Sequence, residues 1–163
     1  MTVSIKDVSA RSKVGAKGPQ AAAWLASHGI EVPQGPNTWL TLPGGGLVAR
    51  LAETEFFLEG DGLGGLASLL EQSSPGVYPV PRQDVCFELA GPSIHQVLRQ
   101  TCSIDFQAKH SPGALFMTSM IGVSVLVIQD DAPAIRIWAD PTFGPYLWNT
   151  FSKIVQDLKG GTQ

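Results

Sequence analysis

Lys17-Gly18-Pro19-Gln20-Ala21-Ala22-Ala23-Trp24-Leu25 decides the fold, because it returns as Ala90-Gly91-Pro92-Ser93-Ile94-His95-Gln96-Val97-Leu98. Gly18 matches Gly91, Pro19 matches Pro92, and Leu25 matches Leu98. Each copy follows a strand-like run and opens a helix. Glycine permits a tight strand-to-helix corner. Proline suits the first helical turn, where no backbone N–H has to be donated. One Gly-Pro corner means little, but two at matched positions indicate two similar halves. Two copies are too few for a solenoid. The expected organisation is therefore one domain over residues 1–163, with pseudo-repeats at about 11–72 and 84–158.

Outward from the first corner, Ser12 to Ala16 reads as a strand and Pro19 to His28 as a helix. Ala21, Ala22, Trp24 and Leu25 share that helix's apolar face, and Gly29 ends it. Trp39 to Leu42 and Leu47 to Leu51 form a hairpin about Pro43-Gly44-Gly45-Gly46, and Glu55 to Leu58 extends the sheet. A second helix runs from Leu63 to Gln72, with Leu66, Leu69 and Leu70 at helical spacing, and Ser73 to Pro81 reads as a linker. The second half repeats the plan. Strand Asp84 to Ala90 leads to helix Pro92 to Thr101, then strands Ala114 to Met120, Gly122 to Ile128 and Ile135 to Ala139. Asp140 to Pro145 is a turn that launches a last helix, Tyr146 to Leu158, striped with Leu147, Phe151, Ile154, Val155 and Leu158. Strand, helix, two or more antiparallel strands, helix, twice over, predicts an α+β fold. Duplicated ferredoxin-like halves with a mainly antiparallel sheet are the natural packing.

Composition narrows the function classes. Hydrophobic residues make up 44% and charged residues 15%, so the chain carries a real core and is not of the disordered class. The net charge of −3 comes without any Lys/Arg cluster, which argues against a nucleic-acid or anionic-membrane partner. The longest apolar run, Ile121 to Ile128, falls far short of the ~18 residues of a membrane-spanning helix. Two cysteines, Cys86 and Cys102, and no apolar leader in Met1 to Arg11 set the expectation of a reducing cytoplasm.

Candidate chemistry is sparse. Gly60-Asp61-Gly62-Leu63-Gly64-Gly65 spells G-x-G-x-x-G, but Glu53, Glu55 and Glu59 surround the preceding strand, and Pro75, Pro79 and Pro81 follow the helix. A dinucleotide turn needs a buried parallel strand on both sides, so a glycine-rich turn is the better reading. Pro43-Gly44-Gly45-Gly46-Leu47 lacks the Lys and Ser/Thr of a phosphate loop. His28, His95 and His110 show no metal spacing, and no nucleophile elbow or Cys-His pairing is visible. Cys86 reads as an inert thiol and Asp130-Asp131 as a solvated turn. Hence no catalytic, cofactor-binding or metal residue is assigned. The remaining feature is aromatic: Trp138, Phe143, Tyr146 and Trp148. Trp148 lies off the apolar stripe of the last helix, as an interface anchor would. Stapling of that helix to the sheet is the competing reading.

Several further stretches, in order, carry a family pattern. They are Gly15-Ala16-Lys17-Gly18-Pro19-Gln20-Ala21, Trp24-Leu25, Ile30-Glu31-Val32-Pro33, Pro36-Asn37, Ala49-Arg50-Leu51-Ala52-Glu53-Thr54-Glu55-Phe56, Phe87-Glu88-Leu89-Ala90-Gly91-Pro92 and Asp140-Pro141-Thr142-Phe143-Gly144-Pro145-Tyr146-Leu147-Trp148. In them the chain resembles the gamma subunit of heterotetrameric sarcosine oxidase. The resemblance implies a fold like the folate-binding domain of the glycine cleavage aminomethyltransferase. It also implies a place in a flavoenzyme complex that oxidatively demethylates sarcosine to glycine, with the one-carbon unit passed to tetrahydrofolate. FAD, FMN, NAD and tetrahydrofolate would sit on larger alpha-type and beta-type subunits, with no chemistry on this chain. The alternative is a stand-alone folate-binding or aminomethyltransferase-like protein. Relatives acting alone on folate carry K-G-C-Y-x-G-Q-E, which does not occur here.

Overall fold

The computed structural model describes residues 2–72, 74–109, 111–130 and 133–160. In chain order the elements are β1 (Ser4–Asp7), β2 (Lys13–Lys17), α1 (Ala21–Ser27), β3 (Thr38–Thr41), β4 (Leu47–Ala52), β5 (Glu55–Glu59), α2 (Gly64–Leu70) and β6 (Tyr78–Val80). They continue with β7 (Val85–Ala90), α3 (Ile94–Thr101), α4 (Phe106–Lys109), β8 (Leu115–Met120), β9 (Val123–Gln129), β10 (Ala134–Ala139) and α5 (Gly144–Gly160). The chain divides into a continuous unit, Ala10–Gln83, and a discontinuous one, Met1–Ser9 with Asp84–Gln163.

Each unit is one antiparallel sheet with helices. The strand order is β3-β4-β5-β2-β6 in the continuous unit and β1-β7-β10-β9-β8 in the discontinuous one. The α+β expectation holds in this form. Between the two main helices of each unit lie three strands, β3 to β5 and β8 to β10, which form a meander. The strand that leads into each corner closes back on the last of the three, β2 on β5 and β7 on β10.

The fifth strand differs in origin but not in place. In the continuous unit β6 pairs with β2, setting Tyr78 opposite Lys17 and Val80 opposite Gly15. In the discontinuous unit β1 pairs with β7, setting Ser4 opposite Ala90 and Lys6 opposite Glu88. Lys17 and Ala90 are the residues just before the two matched glycines, so the register is the same. The glycines explain why. Gly18 (φ 127) and Gly91 (φ 140) lie in the left-handed half of backbone space. A Cβ on Gly18 would strike the carbonyl oxygen of Gly76, and one on Gly91 that of Thr2, each just ahead of the fifth strand. Only glycine lets the two backbones come this close.

The prolines sit one step earlier than expected. Pro19 and Pro92 occupy the turn ahead of the helix, with Gln20 and Ser93 as the N-caps. The glycine carbonyls accept N–H from Ala21 at 3.0 Å and from Ile94 at 3.1 Å, so a tight turn precedes each helix.

Burial follows the apolar periodicities. In the continuous unit Ala21 and Leu25 of α1 and Leu70 of α2 pack on Val14, Ala16, Val48, Phe56 and Leu58. Leu69, expected with them, is 40% exposed. In the discontinuous unit Ile94, Val97 and Leu98 of α3 and Leu147, Phe151 and Val155 of α5 pack on Phe87, Leu89, Val125, Val127, Ile135 and Ile137. The expected linker from Ser73 to Pro81 contains β6, and β1 and α4 are further additions.

Candidate functional site

The exposed aromatic residues stand where β10 gives way to α5. Asp140 builds the corner. Its Oδ1 accepts the Thr142 N–H at 2.8 Å, and Pro141 opens a single 3-10 turn, Pro141–Phe143, that runs into α5. These bonds favour the ionised carboxylate. The side-chain contact with Thr142 acts first and the backbone bond second, and together they hold the Asp140 pKa below its ordinary value.

From this corner Phe143 is 44% exposed, Tyr146 50% and Trp148 36%, while Leu147 between them is buried in the core. Phe143 and Tyr146 lie three apart and so share a helix face. Tyr146 donates its hydroxyl to the Ile121 carbonyl at 2.8 Å, in the turn joining β8 and β9. Trp148 rests on Phe87, with ring centroids 5.6 Å apart. Tyr146 and Trp148 thus each staple α5 at one edge and keep another edge in solvent. Trp138 does not join them. It lies in β10 opposite Cys86 and Leu126, is 1% exposed, and has the Arg136 guanidinium 5.7 Å from its ring centroid. The reason is alternation. Trp138 is on the opposite strand face from Ile135 and Ile137, and both faces of β10 are buried. The exposed aromatic side chains here are thus Phe143, Tyr146 and Trp148, with Tyr146 and Trp148 on either flank of the buried Leu147.

Other candidates take structural places. The G-x-G-x-x-G run follows β5, which pairs antiparallel with β4 on one side and β2 on the other. A dinucleotide turn follows a parallel strand, so this run is a loop into the seven-residue α2. Pro43 to Gly46 turns the β3–β4 hairpin, with the Leu42 N–H donating to the Gly46 carbonyl at 2.7 Å. His28 caps α1 and stacks on Trp24, its Nδ1–H donating to the Trp24 carbonyl at 2.8 Å. His110 and Asp131 lie outside the described residues. Asp130 pairs with Arg136 at 3.0 Å. Cys86 is buried, Cys102 is half-buried, and both are free thiols. Among the described residues no group of three His, Cys, Asp or Glu side chains is placed to hold a metal, and no helix is long and apolar enough to cross a membrane.

Two charged groups escaped the sequence reading. Glu59 is buried between Lys13 at 3.6 Å and Arg11 at 3.7 Å. Arg50 donates to the carbonyls of Pro33 (3.1 Å), Gln34 (2.9 Å) and Glu53 (2.7 Å), tying the loop ahead of β3 to the sheet. A signal for Glu59 existed, since it continues the face of Phe57 at two-residue spacing and Lys13 stands opposite it in β2.

No family model matches the sequence, and no curated protein sequence matches it. Solved structures do. The chain is similar to a chain of the heterotetrameric sarcosine oxidase from Corynebacterium sp. U-96, solved in complex with pyrrole 2-carboxylate. The TM-score is 0.81 with 21% identity, covering 95% of this chain and 84% of that one. It is also similar to the glycine cleavage system aminomethyltransferase T from Bartonella henselae, with a TM-score of 0.64 and 16% identity, covering 92% of this chain and 45% of that one. The chain thus spans less than half of the transferase. These are the two proteins that the sequence resemblance points to, and what is shared with them at these identities is the fold.

Proposed function

We propose that this chain is a non-catalytic, gamma-type subunit of a sarcosine-oxidase-like flavoenzyme complex, in which it assists assembly and stability. The complex would oxidatively demethylate sarcosine to glycine and pass the one-carbon unit to tetrahydrofolate. FAD, FMN, NAD and tetrahydrofolate would be held by larger alpha-type and beta-type subunits in the cytoplasm. The observation that carries this reading is the fold likeness to a chain of a heterotetrameric sarcosine oxidase over 95% of this chain and 84% of that one. The family stretches quoted above support it. In the same reading, the two units are repeats of one duplicated, ferredoxin-related module within a single domain. Phe143, Tyr146 and Trp148 supply aromatic anchors of the kind enriched at interfaces. The contact they centre is expected to bury about 1,000 Å² or more.

Purification of the tagged chain from its native host, with a visible spectrum of the eluate, tests the proposal. A yellow complex with larger chains is the expected result, and a colourless protein eluting alone overturns it. Phe143→Asp and Tyr146→Asp, both at exposed positions, should cut recovery of the larger chains at least tenfold while the fold persists. Undiminished recovery would move the interface elsewhere.

The likeness to the aminomethyltransferase favours a second reading, a stand-alone folate-binding or aminomethyltransferase-like protein. Titration of the isolated chain with tetrahydrofolate separates the two, and no binding at millimolar ligand removes this one.

A further inference from the structure

A cleft of about 200 Å³ opens beside α3 in the discontinuous unit, and its construction is specific. The chain leaves α3 extended at Cys102, where it bridges to Met120, and the Thr101 carbonyl accepts the Ile121 N–H at 2.9 Å. Fastened there, it turns back along α3. The returning wall is held by Phe106, buried edge-on against Phe116 at 5.2 Å. It is also held by Asp105, whose Oδ1 accepts the N–H groups of Gln107 (3.0 Å) and Ala108 (3.2 Å). Leu98 and Phe106 give the cleft an apolar floor. Its polar lining includes His95 and Arg99 from α3, one turn apart, and Ser103, Asp105 and Gln107 from the returning segment.

The two charged groups in this lining, Arg99 and Asp105, are exposed and do not pair with one another. Among the described residues Arg99 makes no hydrogen bond or ion pair, His95 makes none through its ring, and Asp105 Oδ2 has no partner. A guanidinium on one wall, a carboxylate on the other and an apolar floor between them complement a molecule with an anion, a cation and a small apolar group on neighbouring atoms. We propose that this cleft binds a small apolar α-amino acid as its zwitterion. Arg99 takes the α-carboxylate in its planar fork, supported by His95. Asp105 takes the ammonium through Oδ2, and the side chain rests on Leu98 and Phe106. The volume suits a free amino acid and is below the about 300 Å³ at which pockets for drug-sized ligands begin.

The test is an NMR titration of the full chain with L-alanine, with propionate and ethylamine as probes that each lack one charge. Saturable shifts at the His95 ring, the Arg99 side chain and the amides of residues 105–108 are expected, with a dissociation constant of about 1 mM. Propionate and ethylamine should bind at least tenfold more weakly, and Arg99→Gln, at an exposed position, should abolish the shifts. Three outcomes overturn the proposal: no saturable shift with L-alanine, equal saturation by propionate, or unchanged alanine binding in Arg99→Gln.

Discussion

Gly91 shows how much a single hydrogen atom in place of a side chain decides here. Its φ of 140 and its contact with the Thr2 carbonyl leave no room for a Cβ. Gly91→Ala should therefore cost about 2–4 kcal/mol through strain and displaced backbone. Gly64→Ala, at a helical position where a Cβ meets nothing within 4 Å, should be neutral or stabilising by up to about 1 kcal/mol. Urea denaturation of both variants checks the contrast, and equal effects would refute it. Asp140 gives a prediction in pH. Its folded pKa is lowered by Thr142, so its contribution to stability is present above the unfolded aspartate value of about 3.9. That contribution is lost as pH falls through the folded value. Carboxyl-carbon NMR should place the Asp140 midpoint below that of an unfolded aspartate, and a midpoint at or above it would contradict the assignment. The partial exposure of Phe143, Tyr146 and Trp148 was legible residue by residue. Trp138 misled because it shares its strand face with Arg136, so alternation reads that face as solvent-facing, whereas Trp138 is buried there.

Among the elements, the apolar strands and helices at the two corners were readable because each buries a face at its own period. The three that escaped lack that signature. β1 has one apolar residue, Ile5, in four. β6 carries Pro79, which edge strands tolerate because one of their sides makes no ladder. α4 is a single turn held by the Asp105 cap and the buried Phe106, with too few residues for any period to show. The loop from Ile30 to Asn37 is likewise set by a tertiary contact and not by its own composition. Arg50, with its side chain 15% exposed, binds two carbonyls of that loop and the Glu53 carbonyl of the β4–β5 turn, and lies 5.4 Å from the Phe56 ring centroid. Arg50→Ala should cost about 2–3 kcal/mol, since those acceptors lose charge-assisted donors. Arg50→Lys should recover little, because an ammonium does not reproduce the fork. Thermal melts of the two variants measure this, and full recovery by lysine would show that charge alone is what matters.

On the scale of the whole molecule, the two units share a strand plan but complete it differently. The continuous unit takes its fifth strand, β6, from its own segment. The discontinuous unit takes β1 from across the intervening unit, so Ser4 reaches Ala90 over a separation of 86 residues. Replacing residues 4–7 by a Gly/Ser stretch should speed hydrogen exchange of β7 amides by about tenfold or more, while β2 and β5 keep their protection. Equal loss in both sheets would mean that the units unfold as one. The same arrangement has a consequence for synthesis. At about 5–20 residues per second, β1 leaves the ribosome several seconds before the strand it pairs with. The continuous unit has its full set of strands in that interval, and β1 has none of its partners. A strand left waiting with open edges invites pairing with other chains unless it is short and charged. Ser4-Ile5-Lys6-Asp7 is both, so the composition that hides β1 from pattern reading also suits it to wait alone during translation.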